Sequence, residues 1–329
     1  MIPKLPPNGN SPLASTVQKA YNIFSIHTTE NDRENDFMTK RNAEILLAAV
    51  IIARSTSLLF AKVGLESMGV LNLLGVRFCL AFLVLALLFW KRLLQLSRRD
   101  LLCGTLLGAA FFAVMVAEMF ALKHSDASTT SFLENTAIVI VPILEALMLR
   151  KAPKKKVLLC AAITLVGVAF LTLGGSVALG VGHLLGMLTA LLYAASIILT
   201  GRLSQQGDAL MLGVLQVGSM GVFSLIGSFL LETPRLPMNS TEWGVILALA
   251  LVCSCFGFTL QPMAQKYTST ARAAQFCALN PLAVMVLGVL FMQEGLSLSG
   301  VIGAALILLG ILLQSSGQQA DASAEPDHT

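Results

Sequence analysis

Ten apolar segments follow one another between residues 43 and 316, and only short polar linkers separate them. The segments run near 43–62, 69–90, 101–121, 128–149, 156–175, 181–201, 209–231, 242–263, 271–292 and 296–316. A helix of roughly 20 apolar residues crosses the hydrocarbon core of a bilayer. Only 12% of the chain is charged, whereas a soluble domain carries roughly 25%. The sequence therefore predicts an all-α polytopic membrane protein with ten transmembrane helices, in which the lipid bilayer is one partner.

Lysine and arginine are unevenly divided between the two sides of this arrangement. Seventeen lie in the N-terminal tail or at the even-numbered linkers, and only Lys62, Lys123 and Arg235 lie on the other side. Because basic loops stay in the cytoplasm, both termini are expected there. Residues 1–42 then form a disordered cytoplasmic tail, and 317–329 form a second polar cytoplasmic tail. The run that begins at Met38 resembles a natural start, so the residues before it are expected to contribute little to the fold.

The two halves of the chain repeat each other. AAITLVG at 161–167 matches AALILLG at 304–310, and at the same offset of 143 the run EMFALKHS from Glu118 falls on QPMAQKYT from Gln261. Each half, 43–175 and 181–316, holds five segments, and an odd number inverts the second half relative to the first. This pattern predicts two inverted five-helix repeats, an architecture of secondary transporters that bind substrate near the midplane between the halves.

Several polar and ionisable residues lie inside the apolar segments. Such groups are costly in lipid and are candidates for a functional site. The candidate substrate-binding residues are Arg54, Glu118, Glu134, Asn135, Gln261 and Asn280. Three of them also have a structural interpretation, since Arg54 suits an ion pair between helices, Glu118 a structural hydrogen bond, and Asn280 a simple kink. We predict that Arg54, Glu118 and Glu134 face one cavity between the halves.

Two further features concern the shape and ends of the segments. Pro142 is expected to interrupt the fourth segment, and Asn280–Pro281 the ninth, because proline removes a backbone donor. Arg77 and its approximate repeat mate Gln216 begin the second and seventh segments. Their position favours side chains that anchor helix ends near the membrane interface.

The second half resembles an EamA-type member of the drug/metabolite transporter superfamily. The run GFTLQPMAQKYTSTARAAQFCALNP, residues 257–281, contains the residues that this family's pattern has, among them Gln261, Lys266 and Pro281. The first half is similar at Lys62, Arg77 and Pro142, and the resemblance covers about 43–316. Arg54 departs from it, because the family usually has a small or aromatic residue there. The resemblance implies a transporter of amino acids, other metabolites or drugs, in a bacterial-type plasma membrane.

The chain lacks the sequence signatures of an enzyme. It contains no HExxH, no P-loop and no GxSxG motif, so no catalytic residue, cofactor, metal site or nucleic-acid partner is expected. We therefore predict a secondary transporter that moves a small polar metabolite, an amino acid or amine-like compound, by alternating access. The alternatives are efflux of amphipathic drugs or flipping of a lipid-linked intermediate. A non-transporting membrane scaffold or receptor is less favoured, because it would not need these polar groups at membrane depth.

Overall fold

The regular structure of the chain is helical wherever the structure describes it. The structure is a computed structural model that describes residues 38–125, 127–150, 152–172, 180–292 and 298–323. The helices are α1 Lys40–Leu65, α2 Val70–Leu93, α3 Arg98–His124, α4 Ala127–Asn135, α5 Ala137–Leu149, α6 Lys155–Thr172, α7 Val181–Leu203, α8 Ala209–Leu231, α9 Ser240–Ala248, α10 Thr259–Lys266, α11 Thr270–Phe276, α12 Leu279–Met292 and α13 Leu298–Ser323. A π-helix, Leu249–Phe258, joins α9 to α10.

The described helices lie largely within apolar segments of the sequence. Within the described ranges, seven helical spans are long and apolar enough to cross a membrane. Large apolar side chains such as Leu87, Leu102 and Phe229 lie exposed on the outside of the bundle, where lipid rather than water would cover them. These features define an integral membrane protein. The last helix continues to Ser323, past residue 317 where the polar tail was expected to begin; residues 1–37 of the expected N-terminal tail lie outside the described ranges.

Polar caps determine where several helices begin. The side chain before the first turn accepts a hydrogen bond from a backbone N–H of that turn, which satisfies a donor that has no partner inside the helix. The residues that cap in this way are Thr39, Ser97, Asp208, Asn239 and Ser269. At Ser97 the Asp100 carboxylate also accepts from the Ser97 backbone N–H, which completes a capping box. The polar linkers of the sequence therefore act as helix starts.

The fourth and ninth segments are each split into two helices. In the fourth the break lies at Thr136, between α4 and α5, and not at Pro142 as expected; Pro142 is buried inside α5. The Thr136 hydroxyl and backbone N–H both donate to the Leu133 carbonyl, at 2.6 and 3.0 Å. The backbone bond joins residues three apart rather than four, so the helical turn is tighter here, before the chain reaches Pro142. In the ninth, the break lies at Cys277–Ala278, between α11 and α12, directly before Asn280–Pro281.

The eighth segment contains the π-helix. Its ten residues, Leu249–Phe258, directly precede α10, which carries Pro262 in its interior. Proline at that position has no N–H for the carbonyl four residues earlier, which belongs to Phe258. The regular α-helical ladder is therefore already incomplete where the π-helix ends. π-helical turns are rare and occur frequently at functional sites.

Helices from the two halves pack against each other. The α2 helix packs on α8, α3 packs on α7 and α8, α6 packs on α13, and α1 packs on the π-helix. Small residues permit the closest approaches: a Cβ placed on Gly213 of α8 would lie only 2.1 Å from the Thr259 carbonyl oxygen of α10. In the part of the chain that the structure describes, the core is therefore shared by both halves.

A polar network joins two loops at one end of the bundle. Arg235, in the loop between α8 and α9, forms a two-pronged ion pair with Glu242 at 2.8 and 2.9 Å and donates to the Ser67 carbonyl at 2.8 Å. The hydrogen bond to Glu242 raises the pKa of Arg235, so this side chain stays charged. Glu232 accepts from the backbone N–H groups of Leu71 and Asn72 at the start of α2, where the helix dipole favours a carboxylate. The loops of the two halves are thereby tied together.

Candidate functional site

A polar cavity lies where the helices of the two halves meet. The cavity is narrow in this state, with a volume of about 20 Å³, which is room for about one water molecule. The first half contributes Arg54 and Ser57 from α1, Glu118 from α3, and Glu134 and Asn135 from the end of α4. The second half contributes Tyr193 from α7, Phe258 from the π-helix, and Cys277 and Asn280 from the break between α11 and α12. Both interrupted segments therefore place polar residues beside the cavity.

Arg54 is held by residues of the second half. Its Nη1 donates to Gln261 Oε1 at 2.6 Å and to the Tyr193 hydroxyl at 3.3 Å. The guanidinium carbon lies 4.1 Å from the ring centroid of Phe258 and 5.6 Å from that of Tyr193. A desolvated cation over aromatic faces gains on the order of 2 kcal/mol. Within the described residues, no carboxylate pairs directly with Arg54, so the predicted ion-pair alternative does not describe its contacts.

The backbone beside Arg54 is shaped for its side chain. A Cβ on Gly257, next to Phe258 in the π-helix, would lie 2.5 Å from Arg54 Cγ. Glycine at that position lets the stem of the arginine lie directly against the π-helix. Phe258 in turn packs edge-on against Phe78 of α2 and Phe111 of α3, with ring centroids 5.5 and 5.7 Å apart. This aromatic cluster connects helices of both halves and fixes the surface on which Arg54 rests.

Two carboxylates face the cavity without a direct cationic partner. Glu118 is 4% exposed and Glu134 is 5% exposed, and both interact electrostatically with Arg54. Among the described residues, one oxygen of each, Oε2, has no hydrogen-bond donor, and the same holds for Oδ1 of Asn135 and of Asn280. A buried acceptor without a donor costs roughly 1–3 kcal/mol. The cavity therefore presents a surplus of acceptor oxygens, which is suited to a molecule that carries N–H or O–H donors.

The structure brings the sequence-predicted site residues together. Arg54, Glu118, Glu134, Asn135 and Asn280 line the same cavity, and Gln261 contacts it through Arg54. Gln261 and Glu118, which the repeat pairs, thus lie at one centre although they belong to opposite halves. That these residues bind a substrate stays a prediction.

Sequence reasoning missed several lining residues. Ser57, Tyr193, Phe258 and Cys277 carry no charge, and each lies in a mainly apolar segment. Ser57 follows Arg54 by three positions, a helical spacing that places both on one face, so the pattern held a signal for it. The sequence contained no such signal for the two aromatic residues and the cysteine, because these side chains are equally typical of a hydrophobic core.

The interfacial interpretation of Arg77 and Gln216 is wrong. Both side chains are fully buried, at 0% exposed. Arg77 donates from Nη1 to Ser57 Oγ at 3.2 Å and from Nε to Ser254 Oγ at 3.4 Å. The α2 helix begins at Val70, so Arg77 already lies two turns inside it. Neither residue therefore anchors a helix end.

The described residues hold no cluster of three or more histidine, cysteine, aspartate or glutamate side chains that could bind a metal ion.

Comparison with known proteins places this chain in a family of transporters. The model of the EamA-like transporter family matches residues 41–173 and again 180–316. Two curated proteins of Archaeoglobus fulgidus, both described as uncharacterized transporters, are similar to this chain. One is 26% identical over 83% of this chain and 85% of its own length. The other is 25% identical over 83% of this chain and 97% of its own length.

A solved structure shares the fold. It aligns with a TM-score of 0.71 at 16% identity, and the alignment covers 86% of this chain and 99% of that one. The helical bundle and its central polar cavity define a membrane protein of the transporter class. The chain belongs to the EamA-like transporter family, which is part of the drug/metabolite transporter superfamily.

Proposed function

We propose that this protein is a secondary transporter that moves a small polar metabolite, an amino acid or amine-like compound, across a bacterial-type plasma membrane by alternating access. The observation that carries the proposal is the cavity between the halves, where one guanidinium and two carboxylates lie together. Carboxylate and amide oxygens without donors suit an ammonium group, and Arg54 suits a carboxylate. A small molecule with both groups matches the cavity better than an apolar drug does.

The proposed mechanism uses two inverted five-helix repeats with ten spans and both termini in the cytoplasm. The breaks at Thr136 and Cys277 support this arrangement, since they interrupt corresponding segments at an offset close to that of the sequence repeat. The packing supports it as well, because α1 packs on the eighth segment and α7, its repeat mate, packs on α3, the mate of the eighth. Rocking of these groups would expose the cavity to each side in turn. A gradient or exchange, including exchange of a proton at Glu134, would drive the cycle.

The proposal is tested with purified protein in liposomes and pools of labelled amino acids, amines, amphipathic dyes and lipid-linked sugars. We expect uptake of an amino acid or amine. Transport of amphipathic dyes or lipid-linked sugars only would support the efflux or flipping alternatives, and no transport of any pool would contradict a transporter function.

Glu134→Gln tests the site within the same assay. We expect this variant to fold and to lose transport, or its pH dependence, because it removes a cavity charge without changing shape. Glu145→Gln is the matched control, since Glu145 belongs to the same segment but lies outside the lining of the cavity. Normal rates and an unchanged pH profile in Glu134→Gln, measured per folded molecule, would contradict the assignment.

A further inference from the structure

Arg77 is the largest fully buried side chain of the described residues, and the proposed transport cycle does not yet use it. It lies on α2, roughly 10 Å along the helix axis from Val70. A charged side chain at such depth is costly unless another charge or a set of dipoles compensates it.

The direct contacts of Arg77 are weak for a buried cation. It donates to two serine hydroxyls, Ser57 and Ser254, and its guanidinium carbon lies 4.5 Å from the ring centroid of Phe78. Its Nη2 has no hydrogen-bond acceptor within the described ranges. These contacts place no negative charge on the arginine, so its counter-charge must lie further away.

A second buried arginine shows what a complete local partner set looks like. Arg272, which is 3% exposed, pairs with both oxygens of Glu44 at 3.1 and 3.2 Å and also donates to the Ile311 carbonyl. These partners compensate the positive charge of Arg272 locally. Arg77 differs, because among the described residues no carboxylate pairs with it directly.

Ser57 connects Arg77 with the transport cavity. The hydroxyl that accepts from Arg77 belongs to a residue that lines the cavity beside Glu118. Arg77 attracts Glu118 electrostatically, and it is repelled by Arg54. Glu118 is attracted by Arg54 as well as by Arg77, whereas Glu134 interacts with Arg54 and not with Arg77. The four charges therefore form one network across the cavity wall, in which the two arginines share Glu118.

We propose that Arg77 is a positioning residue of the transport site, which balances the charge of Glu118 from behind the cavity wall. The inference rests on the proposed function. With Arg77 included, two arginines face two carboxylates and the site is neutral. Without it, the cavity would carry an excess negative charge in a water-poor environment, and Glu118 would turn toward Arg54 and compete for it.

A double-mutant cycle tests this role. Arg77→Met keeps the length and most of the volume of the side chain but removes the charge. We expect Arg77→Met to lower transport per folded molecule by roughly 30-fold, and to lower it by less than about threefold in the Glu118→Gln background, since residues that share one electrostatic network are not additive. Arg77→Lys keeps the positive charge and should therefore retain most of the transport. A role that only filled volume would not depend on that charge.

The matched control combines Arg77→Met with Glu134→Gln. Glu134→Gln removes the same amount of negative charge from the same cavity but leaves Glu118 unbalanced. Because Glu134→Gln is itself expected to lose transport, the effect of Arg77→Met in this background is measured as the midpoint of thermal unfolding in detergent, where it should persist. Equal effects of Arg77→Met in all three backgrounds would overturn the proposal, and so would equal relief by Glu118→Gln and Glu134→Gln.

Thermal stability in detergent, measured on the same variants, separates this inference from the proposed function. Relief by Glu118→Gln alone supports the pairing of Arg77 with Glu118 even if the unaltered protein transports no pool. Transport by the unaltered protein without such relief, in either measurement, retains the proposed function and overturns the role of Arg77.

Discussion

Arg54 of α1 and Gln261 of α10 form a 2.6 Å hydrogen bond across the centre of the protein, from the guanidinium Nη1 to the amide Oε1. The two residues lie in opposite sequence halves, and the bond is one of the direct polar links between them beside the cavity. The bond orients the guanidinium of Arg54, a charge that the apolar first segment could not otherwise accommodate. The site is thus built by both halves together.

The first prediction concerns the shape of the Arg54 side chain. Arg54→Ala should abolish transport, and Arg54→Lys should recover less than about a tenth of it, because lysine lacks the planar fork that contacts Gln261, Tyr193 and the Phe258 face. The measurement is the initial rate of uptake per folded molecule. A control is Arg202→Lys, an exposed position at the end of α7, which should leave the rate unchanged. Full activity of Arg54→Lys would show that charge alone is sufficient.

The second prediction concerns close packing between α8 and α10. Gly213→Ala should destabilise the folded protein by about 1–3 kcal/mol, because the added Cβ meets the Thr259 backbone carbonyl, which cannot rotate away. The midpoint of thermal unfolding in detergent should fall. Gly244→Ala is the control, since a Cβ there has no heavy atom within 4 Å, and its midpoint should not fall. Equal midpoints for both variants would contradict the close approach.

The third prediction concerns membrane orientation. In a background without native cysteines, Leu236→Cys in the loop between α8 and α9 should react with an impermeant thiol reagent added from outside. Ala152→Cys, before α6, should react only after the membrane is permeabilised. The expectation follows from the unequal distribution of basic residues between the two sides. The reverse labelling pattern would show that the orientation is opposite.

The fourth prediction concerns the polar network around Arg235. Arg235→Lys should lower the midpoint of thermal unfolding, because lysine keeps the charge but cannot donate to both Glu242 oxygens and the Ser67 carbonyl at once. In the Glu242→Gln background the same substitution should have a smaller effect. An equal effect in both backgrounds would show that Arg235 acts through its other contacts.

Much of the fold follows from the sequence because a bilayer permits few alternatives. A spanning segment must satisfy its own backbone hydrogen bonds, so apolar runs of this length become helices. The repeat that pairs Glu118 with Gln261 reflects this regularity. The site residues stood out for another reason, since a charge such as Arg54 or Glu134 is anomalous in an apolar segment. The helical periodicity of the segments and the free-energy cost of a charge in lipid together predicted that these side chains face the interior of the bundle.

Tertiary structure decided the remaining features. The break at Thr136 arises from hydrogen bonds to Leu133 and could not be read from Pro142, which fits inside its helix. Arg77 resembled an interfacial anchor because it lies near the beginning of the second apolar segment, yet packing by α8 and the π-helix buries it. Tyr193 and Phe258 became part of the site only when helices of opposite halves met. The sequence by itself determined which segments are helical and which residues are costly in lipid; the packing of the helices decided which of those residues meet, because hydrogen bonds and ring contacts depend on distances between segments that are far apart in the chain.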